Sequence, residues 1–149
     1  MAGFYTEEIR VAGERQGFRA VTLDGRERDM ARVDFRSSQR VGRYGVDVAV
    51  IDEVAKLTLI VDPAVDVYLV DEIGKMECLS PGFTEAMRGL LESTAPVVAT
   101  IAQKGGGFVA EVKQRNDAEV FQVTRGNRDE LPARVLAWLA AFGSARRKR

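Results

Sequence analysis

The sequence predicts an α/β fold in which helices cover the faces of a mainly parallel β-sheet. From residue 46 onward, short apolar runs typical of buried strands alternate with segments of helical spacing. Before residue 46, alternating apolar and polar segments surround glycine-containing turns, which is typical of an antiparallel hairpin. We therefore expect an antiparallel N-terminal addition to a parallel sheet.

The amino-acid composition excludes several classes of function. Of the 149 residues, 46% are hydrophobic and 30% are charged, and 22 basic residues balance 22 acidic ones. This balance gives no sign of nucleic-acid binding. The absence of His excludes imidazole chemistry, and a single cysteine, Cys78, excludes an intramolecular disulfide. No apolar run has membrane-spanning length and the N-terminus lacks a signal-peptide pattern, so we expect a cytoplasmic protein without a membrane partner.

The first elements are strands. Residues 4–11 and 17–23 alternate in polarity around Gly13 and predict the hairpin. Residues 28–35 predict a third, shorter strand. Residues 36–45 predict a polar loop.

The next segment, residues 52–61, is ambiguous. Val54, Leu57 and Val61 have helical spacing, whereas the β-branched and apolar residues at its end favour a strand. We favour a helix that is ended by Pro63.

Two buried strands and a helix follow. The apolar run Val65–Val70 predicts a strand buried on both faces, and residues 96–101 predict a second one. Ser80 and Pro81 are the N-cap and first residue of a helix. Its apolar face consists of Phe83, Met87, Leu90 and Leu91.

The C-terminal part predicts three further elements. These are a short helix at 108–115 after the loop Gly105–Gly107, a last strand at 120–123, and a final helix capped by Asn127. One side of that helix is apolar, with Leu131, Val135, Trp138, Leu139 and Phe142. We expect one domain over residues 1–144 and a basic tail at 145–149.

Two adjacent acids at the end of a buried strand are the main chemical signal. Asp71 and Glu72 follow the Val65–Val70 run, which is the form of a Walker B motif. In this interpretation Asp71 holds a nucleotide-bound Mg²⁺ and Glu72 orients or deprotonates an attacking water. The alternative is that the strand ends in acids because the chain reaches solvent.

A second polar group ends the neighbouring strand. Thr100 is placed to hydrogen-bond a γ-phosphate or its water, or alternatively is an ordinary strand-end threonine. The loop from Lys104 to Gly107 has the composition of a phosphate loop but not its spacing.

Several stretches together carry a family resemblance. They occur in one order and at one spacing: Gly3–Arg10, Gly17-Phe18, Val41–Val46, Val70–Glu77, Ala99–Ile101 and Thr124–Asp129. The chain closely resembles the small P-loop nucleoside-triphosphatase family from residue 3 to about residue 142. Asp-Glu-Ile-Gly-Lys-Met-Glu, at 71–77, is its most specific stretch.

The resemblance implies a RecA-like fold and Mg²⁺-dependent hydrolysis of nucleoside triphosphates to diphosphate and phosphate. Asp71 and Glu72 match the family's Walker B acids. The stretch Thr124–Asp129 matches the loop near the nucleotide base, where Asn127 or Arg128 would contact the base.

Family members begin with a strand, a G-x-x-G-x-G-K-S/T type loop and a helix, and the sequence shows no counterpart of this first βα unit. Three explanations stay open: a natural start further upstream, a degenerate chain with a rearranged or oligomeric sheet, or a partner that donates the strand. Unpaired strand edges would then favour self-association. The functional alternatives are a non-catalytic P-loop module and a nucleotide or small-molecule kinase.

Overall fold

The structure is a computed structural model that describes residues 1–146. These residues form seven strands: β1 (Ala2–Val11), β2 (Glu14–Thr22), β3 (Glu27–Arg32), β4 (Arg40–Val41), β5 (Tyr44–Val46), β6 (Tyr68–Ile73) and β7 (Val97–Ile101). They also form four α-helices, α1 (Val48–Thr58), α2 (Pro81–Glu92), α3 (Gly107–Lys113) and α4 (Leu131–Arg146), and a 3-10 helix at Glu77–Leu79. The α/β class is confirmed.

The strands form one mixed sheet in the order β4-β5-β3-β2-β1-β6-β7. The β1–β6 and β6–β7 pairs are parallel, and the other pairs are antiparallel. The predicted N-terminal hairpin is confirmed as β1 and β2, which are joined by a turn at Ala12 and Gly13, both with positive φ. Among the described strands, four pairs are antiparallel and two are parallel, so the sheet is mixed rather than mainly parallel as the sequence predicted.

The strand β1 belongs to both parts of the sheet. Its first residues pair with β6, with Gly3 opposite Leu69, while the rest pairs with β2. At Gly3, φ is +121° and a Cβ atom would lie 1.8 Å from the carbonyl oxygen of Leu69. Only glycine allows this approach, and it fixes β6 in the interior of the sheet.

The helices α1 and α2 bury their apolar faces in the same core. Buried residues of α1 recur at helical spacing, as do those of α2: Ile51, Val54, Ala55 and Thr58, then Phe83, Met87 and Leu90. The Phe83 ring meets that of Phe4 edge-on, at a centroid distance of 6.2 Å. The buried Tyr68 hydroxyl donates to the carbonyl oxygen of Ile60 at 2.6 Å and accepts from the N–H of Asp62 at 2.8 Å. The prediction of α2 is confirmed. A helix is present at α1 as predicted, but it runs from Val48 to Thr58 instead of 52–61, so that Leu57 is exposed and Val61 lies beyond its end.

Two predictions need correction in the first part of the chain. Residues 36–45 are not only a loop, because β4 and β5 form a small antiparallel hairpin within and just beyond them. The strand β7 is half-buried to exposed rather than buried, because it lies at the edge of the sheet. An apolar run does not reveal whether a strand has a neighbour on each side.

The chain divides into two compact units, Met1–Val112 and a second one that starts at Lys113. In the second unit, residues 120–123 form no strand, and the final helix begins at Leu131 rather than after Asn127. The predicted 1–144 domain boundary stays a prediction. Of the predicted basic tail, residues 145 and 146 end α4, and 147–149 lie outside the described residues.

In the described part of the chain, no helix is both long enough and apolar enough to cross a membrane.

Candidate active site

The two adjacent acids lie at the carboxyl end of β6, an interior strand. Tyr68, Val70 and Ile73 anchor this strand in the core, whereas Asp71 and Glu72 are half-buried. The register with β7 shifts between Val70 and Ile73, so the acids lie in a bulge. A bulge interrupts the strict alternation of side chains, which lets neighbouring residues serve one site.

Thr100 joins this pair from the neighbouring strand. Its hydroxyl donates a hydrogen bond to Oδ1 of Asp71, across 29 residues of sequence. Because β6 and β7 are parallel, their carboxyl ends meet at one edge of the sheet, where ligands of open α/β sheets bind. The structure therefore brings together three of the five residues that the sequence singled out.

The surroundings of Glu72 make its carboxylate a stronger base than that of an ordinary glutamate. Partial burial, and then the negative charge of Asp71, raise the pKa of the Glu72 carboxyl above its usual range. A carboxylate with a raised pKa is a better proton acceptor near neutral pH than an ordinary one.

A third carboxyl group, which sequence reasoning missed, lies beside Glu72. Glu77 is only 3% exposed, and burial raises its pKa to about 7, with the charges of Glu72 and Asp71 adding to the rise. Hydrogen bonds from the backbone N–H groups of Gly74 and of Glu77 itself oppose that rise. The sequence contained one indication of this residue, because Glu77 is the last residue of the family-specific stretch at 71–77.

The neighbouring Cys78 carries a thiol whose pKa burial raises to about 11. The negative charges of Glu77 and Glu72 contribute to this rise. The thiol stays protonated at neutral pH, which agrees with an unreactive side chain.

The other two predicted site residues belong to the unit that starts at Lys113. The side chain of Asn127 stabilises a turn, since its Oδ1 accepts from the N–H of Thr124 at 2.7 Å and its Nδ2 donates to the carbonyl oxygen of Gln122 at 2.8 Å. The Arg128 side chain is exposed, and its Nε atom lies 3.5 Å from Oδ1 of Asp129. Their contact with a base stays a prediction.

Asp71 and Thr100 offer oxygen atoms of the kind that Mg²⁺ prefers as ligands. Among residues 1–146 no group of three or more Cys, Asp or Glu side chains has metal-binding geometry. Mg²⁺ takes oxygen ligands, keeps several waters and needs only one or two carboxylates when a phosphate supplies the rest. The carboxylate of Asp71 could provide one such oxygen, and the hydroxyl of Thr100 donates a hydrogen bond to it.

A family model described as NTPase matches residues 1–136. The chain belongs to this NTPase family. Its curated relatives include the nucleoside-triphosphatase THEP1 of Thermotoga sp. (strain RQ2), which is 41% identical over 140 residues, with 92% of this chain and 79% of the relative covered. The cancer-related nucleoside-triphosphatase of Homo sapiens is 37% identical over 143 residues, with 87% and 75% covered.

Solved structures of the NTPase family agree with the sequence match. The crystal structure of THEP1 from Aquifex aeolicus aligns with a TM-score of 0.84 at 33% identity, over 93% of this chain and 83% of that one. The solution structure of the human cancer-related nucleoside triphosphatase aligns with a TM-score of 0.79 at 35% identity, over 95% and 82%. The predicted family and fold are confirmed.

Proposed function

We propose that the chain acts in Mg²⁺-dependent hydrolysis of nucleoside triphosphates to diphosphate and phosphate. The observation that carries this proposal is the meeting of Asp71, Glu72 and Thr100 at the carboxyl ends of two parallel strands. Membership of the NTPase family and relatives named nucleoside-triphosphatases support it.

Asp71 would hold the Mg²⁺ of the bound nucleotide, and the hydroxyl of Thr100 fixes the orientation of this carboxylate. When bound, the ion would neutralise negative charge on the phosphate oxygens. Thr100 is exposed on β7 and its hydroxyl also retains lone pairs for a phosphate-side hydrogen bond or a water.

Glu72 would accept the proton of the attacking water. The water oxygen bonds to the γ-phosphorus while the bond from that phosphorus to the β–γ bridging oxygen breaks. The proton passes to the Glu72 carboxylate, and the electron pair of the broken bond stays with the diphosphate. The raised pKa of Glu72 suits this role.

The 149 residues contain no G-x-x-x-x-G-K-S/T sequence, the loop whose backbone N–H groups cradle the β- and γ-phosphates in P-loop enzymes. The test therefore uses two proteins. One is the 149-residue chain, and the other is the same chain preceded by the strand, glycine-rich loop and helix of a relative.

Phosphate release from ATP and GTP is measured with and without Mg²⁺, and labelled ATP identifies the acceptor of the γ-phosphate. In whichever protein is active, Glu72→Gln is expected to lower the rate about 10²- to 10³-fold. Glu85→Gln, an exposed glutamate on α2, is the matched control and should leave the rate unchanged. An unchanged rate in Glu72→Gln would show that the catalytic assignment is wrong, and transfer to a hydroxyl would favour the kinase.

One observation favours the second candidate, a non-catalytic module stabilised by self-association or a partner. The strand β7 lies at a sheet edge with Ala99 and Thr100 exposed, and such edges pair with other chains. This candidate predicts dimers in sedimentation and no rise in melting temperature with Mg²⁺–ATP. Binding at 100 times the dissociation constant would instead add about 2.7 kcal/mol of stability.

A further inference from the structure

Glu77 is a buried carboxyl group that the proposed mechanism does not use. It begins the 3-10 helix that follows β6 and is 3% exposed. The backbone N–H groups of Gly74 and Glu77 donate hydrogen bonds to its carboxylate, and no buried side-chain oxygen among the described residues lacks a partner. The carboxylate of Glu77 is thus fixed to the turn that leads away from the site.

The carboxylates of Glu72 and Glu77 converge on the Cα atom of Gly74. A Cβ atom built on Gly74 would lie 2.5 Å from Oε1 of Glu72 and 2.9 Å from Oε2 of Glu77. Glu77 is the buried member of this pair and Glu72 the half-exposed one. Glu77 therefore fills the inner side of the space over Gly74, and Glu72 occupies the outer side.

We propose that Glu77 is a positioning residue that holds the Glu72 carboxylate in one orientation at the exposed side of Gly74. The side chain of Glu77 occupies the inner space over Gly74 and so blocks an inward rotation of Glu72. A long glutamate side chain otherwise samples several rotamers. The effect of Glu77 on hydrolysis rests on the proposed function, whereas its effect on the orientation of Glu72 does not.

The first experiment measures the side-chain rotamer of Glu72 by NMR three-bond couplings in the isotope-labelled 149-residue chain. The parent chain should show one χ1 rotamer at Glu72. Glu77→Ala, which empties the inner space, should average the couplings over several rotamers. Glu85→Ala removes an exposed glutamate of α2 and should leave the couplings unchanged.

Glu77→Asp serves where Glu77→Ala does not fold, because it keeps the carboxyl group and shortens the side chain by one methylene group. The space that this opens beside Gly74 should again average the Glu72 couplings over several rotamers. Averaged couplings in the parent chain, or unchanged couplings in both folded variants, would show that Glu77 only stabilises the turn.

The second experiment uses whichever protein releases phosphate. Glu77→Ala should lower kcat about 10- to 100-fold and leave KM within about twofold, because misplacing a reacting group by about 1 Å has an effect of this size. The double variant Glu72→Gln/Glu77→Ala should be no slower than Glu72→Gln alone. Additive losses would contradict positioning through Glu72. Full activity of Glu72→Gln, with rotamer averaging still seen in Glu77→Ala, would overturn the proposed function and leave the positioning role intact.

Discussion

A carboxyl group that is buried beside two other carboxyl groups is difficult to ionise, and Glu77 is in this position. Desolvation and the charges of Glu72 and Asp71 together outweigh the two backbone hydrogen bonds that favour its charged form. The Glu77 carboxyl group of the folded protein therefore keeps its proton until the pH approaches its pKa of about 7, whereas the ordinary pKa is 4.5. A proton held only in the folded state links stability to pH.

Glu77→Gln tests this linkage. Between pH 4.5 and 7 the folded parent chain binds more protons than the unfolded chain, so this group makes stability fall as pH rises through that window. The variant lacks the group, so its free energy of unfolding should rise relative to the parent by up to about 3 kcal/mol across the window. Urea unfolding at a series of pH values measures the difference. If the free energy of unfolding changes with pH in the same way in both proteins, Glu77 does not carry a proton in the folded state.

Gly3 is a second residue whose identity is decided by one contact. Gly3→Ala would place a Cβ atom 1.8 Å from the carbonyl oxygen of Leu69 at a backbone φ of +121°. We expect a loss of about 3 kcal/mol or more from overpacking and backbone strain, measured by urea unfolding. The control is Gly89→Ala in α2, where nothing lies within 4 Å of the new atom, and where a gain of up to about 1 kcal/mol is expected. Equal effects at the two positions would argue against the tight β1–β6 contact.

At the scale of elements, the start of α2 connects two helices. The Ser80 hydroxyl oxygen accepts a hydrogen bond from the N–H of Phe83 at 2.9 Å, and the hydroxyl donates to Oδ1 of Asp52 on α1. The same side chain thus caps α2 and ties it to α1, directly after the 3-10 helix that carries Glu77. The capping role was predictable from Ser-Pro in the sequence, whereas the bond to Asp52 was not.

Ser80→Ala should therefore cost more than an ordinary cap. Loss of the cap costs about 1 kcal/mol, and the unpaired, half-buried Asp52 adds about 1 kcal/mol. Thr84→Ala, in the first turn of the same helix, removes a hydroxyl that bonds only to the carbonyl oxygen of Pro81. It should cost less than about 0.5 kcal/mol. Thermal and urea unfolding compare the two variants, and a loss of no more than about 1 kcal/mol in Ser80→Ala would show that the Asp52 bond adds nothing to the cap.

At the scale of the whole molecule, the hydrophobic core is built from one stretch of chain. Its buried members run from Phe4 to Val112, and the last three come from α3: Phe108, Val109 and Val112. The core is therefore complete only when the chain reaches the end of α3.

Two shortened chains test this requirement. A chain that ends at Arg115 retains every buried member of the core cluster and should unfold cooperatively. A chain that ends at Ala102 lacks the three α3 residues and should lose several kcal/mol, because large buried side chains contribute about 2 to 5 kcal/mol each. Circular dichroism during heating distinguishes them. Loss of cooperative unfolding in the longer chain would show that the unit from Lys113 onward is needed for the core.

Much of the fold was predictable because its signals are local. Alternating polarity around Gly13, the Ser80-Pro81 helix start and the apolar run before Asp71 each depend on a few consecutive residues. The errors fall where local pattern is weak. Residues 120–123 have β propensity but no strand partner, and Asn127 stabilises a turn instead of capping α4.

By itself, the sequence determined the family, most elements and the adjacent acids of the site, because motifs and periodicity are written in neighbouring residues. Only the tertiary structure decided that Thr100 meets Asp71, that β7 is an edge strand and that Glu77 is buried next to Glu72. These features depend on contacts between separate elements. Burial and charge proximity are properties of three-dimensional packing, and packing sets the pKa values on which the proposed chemistry depends.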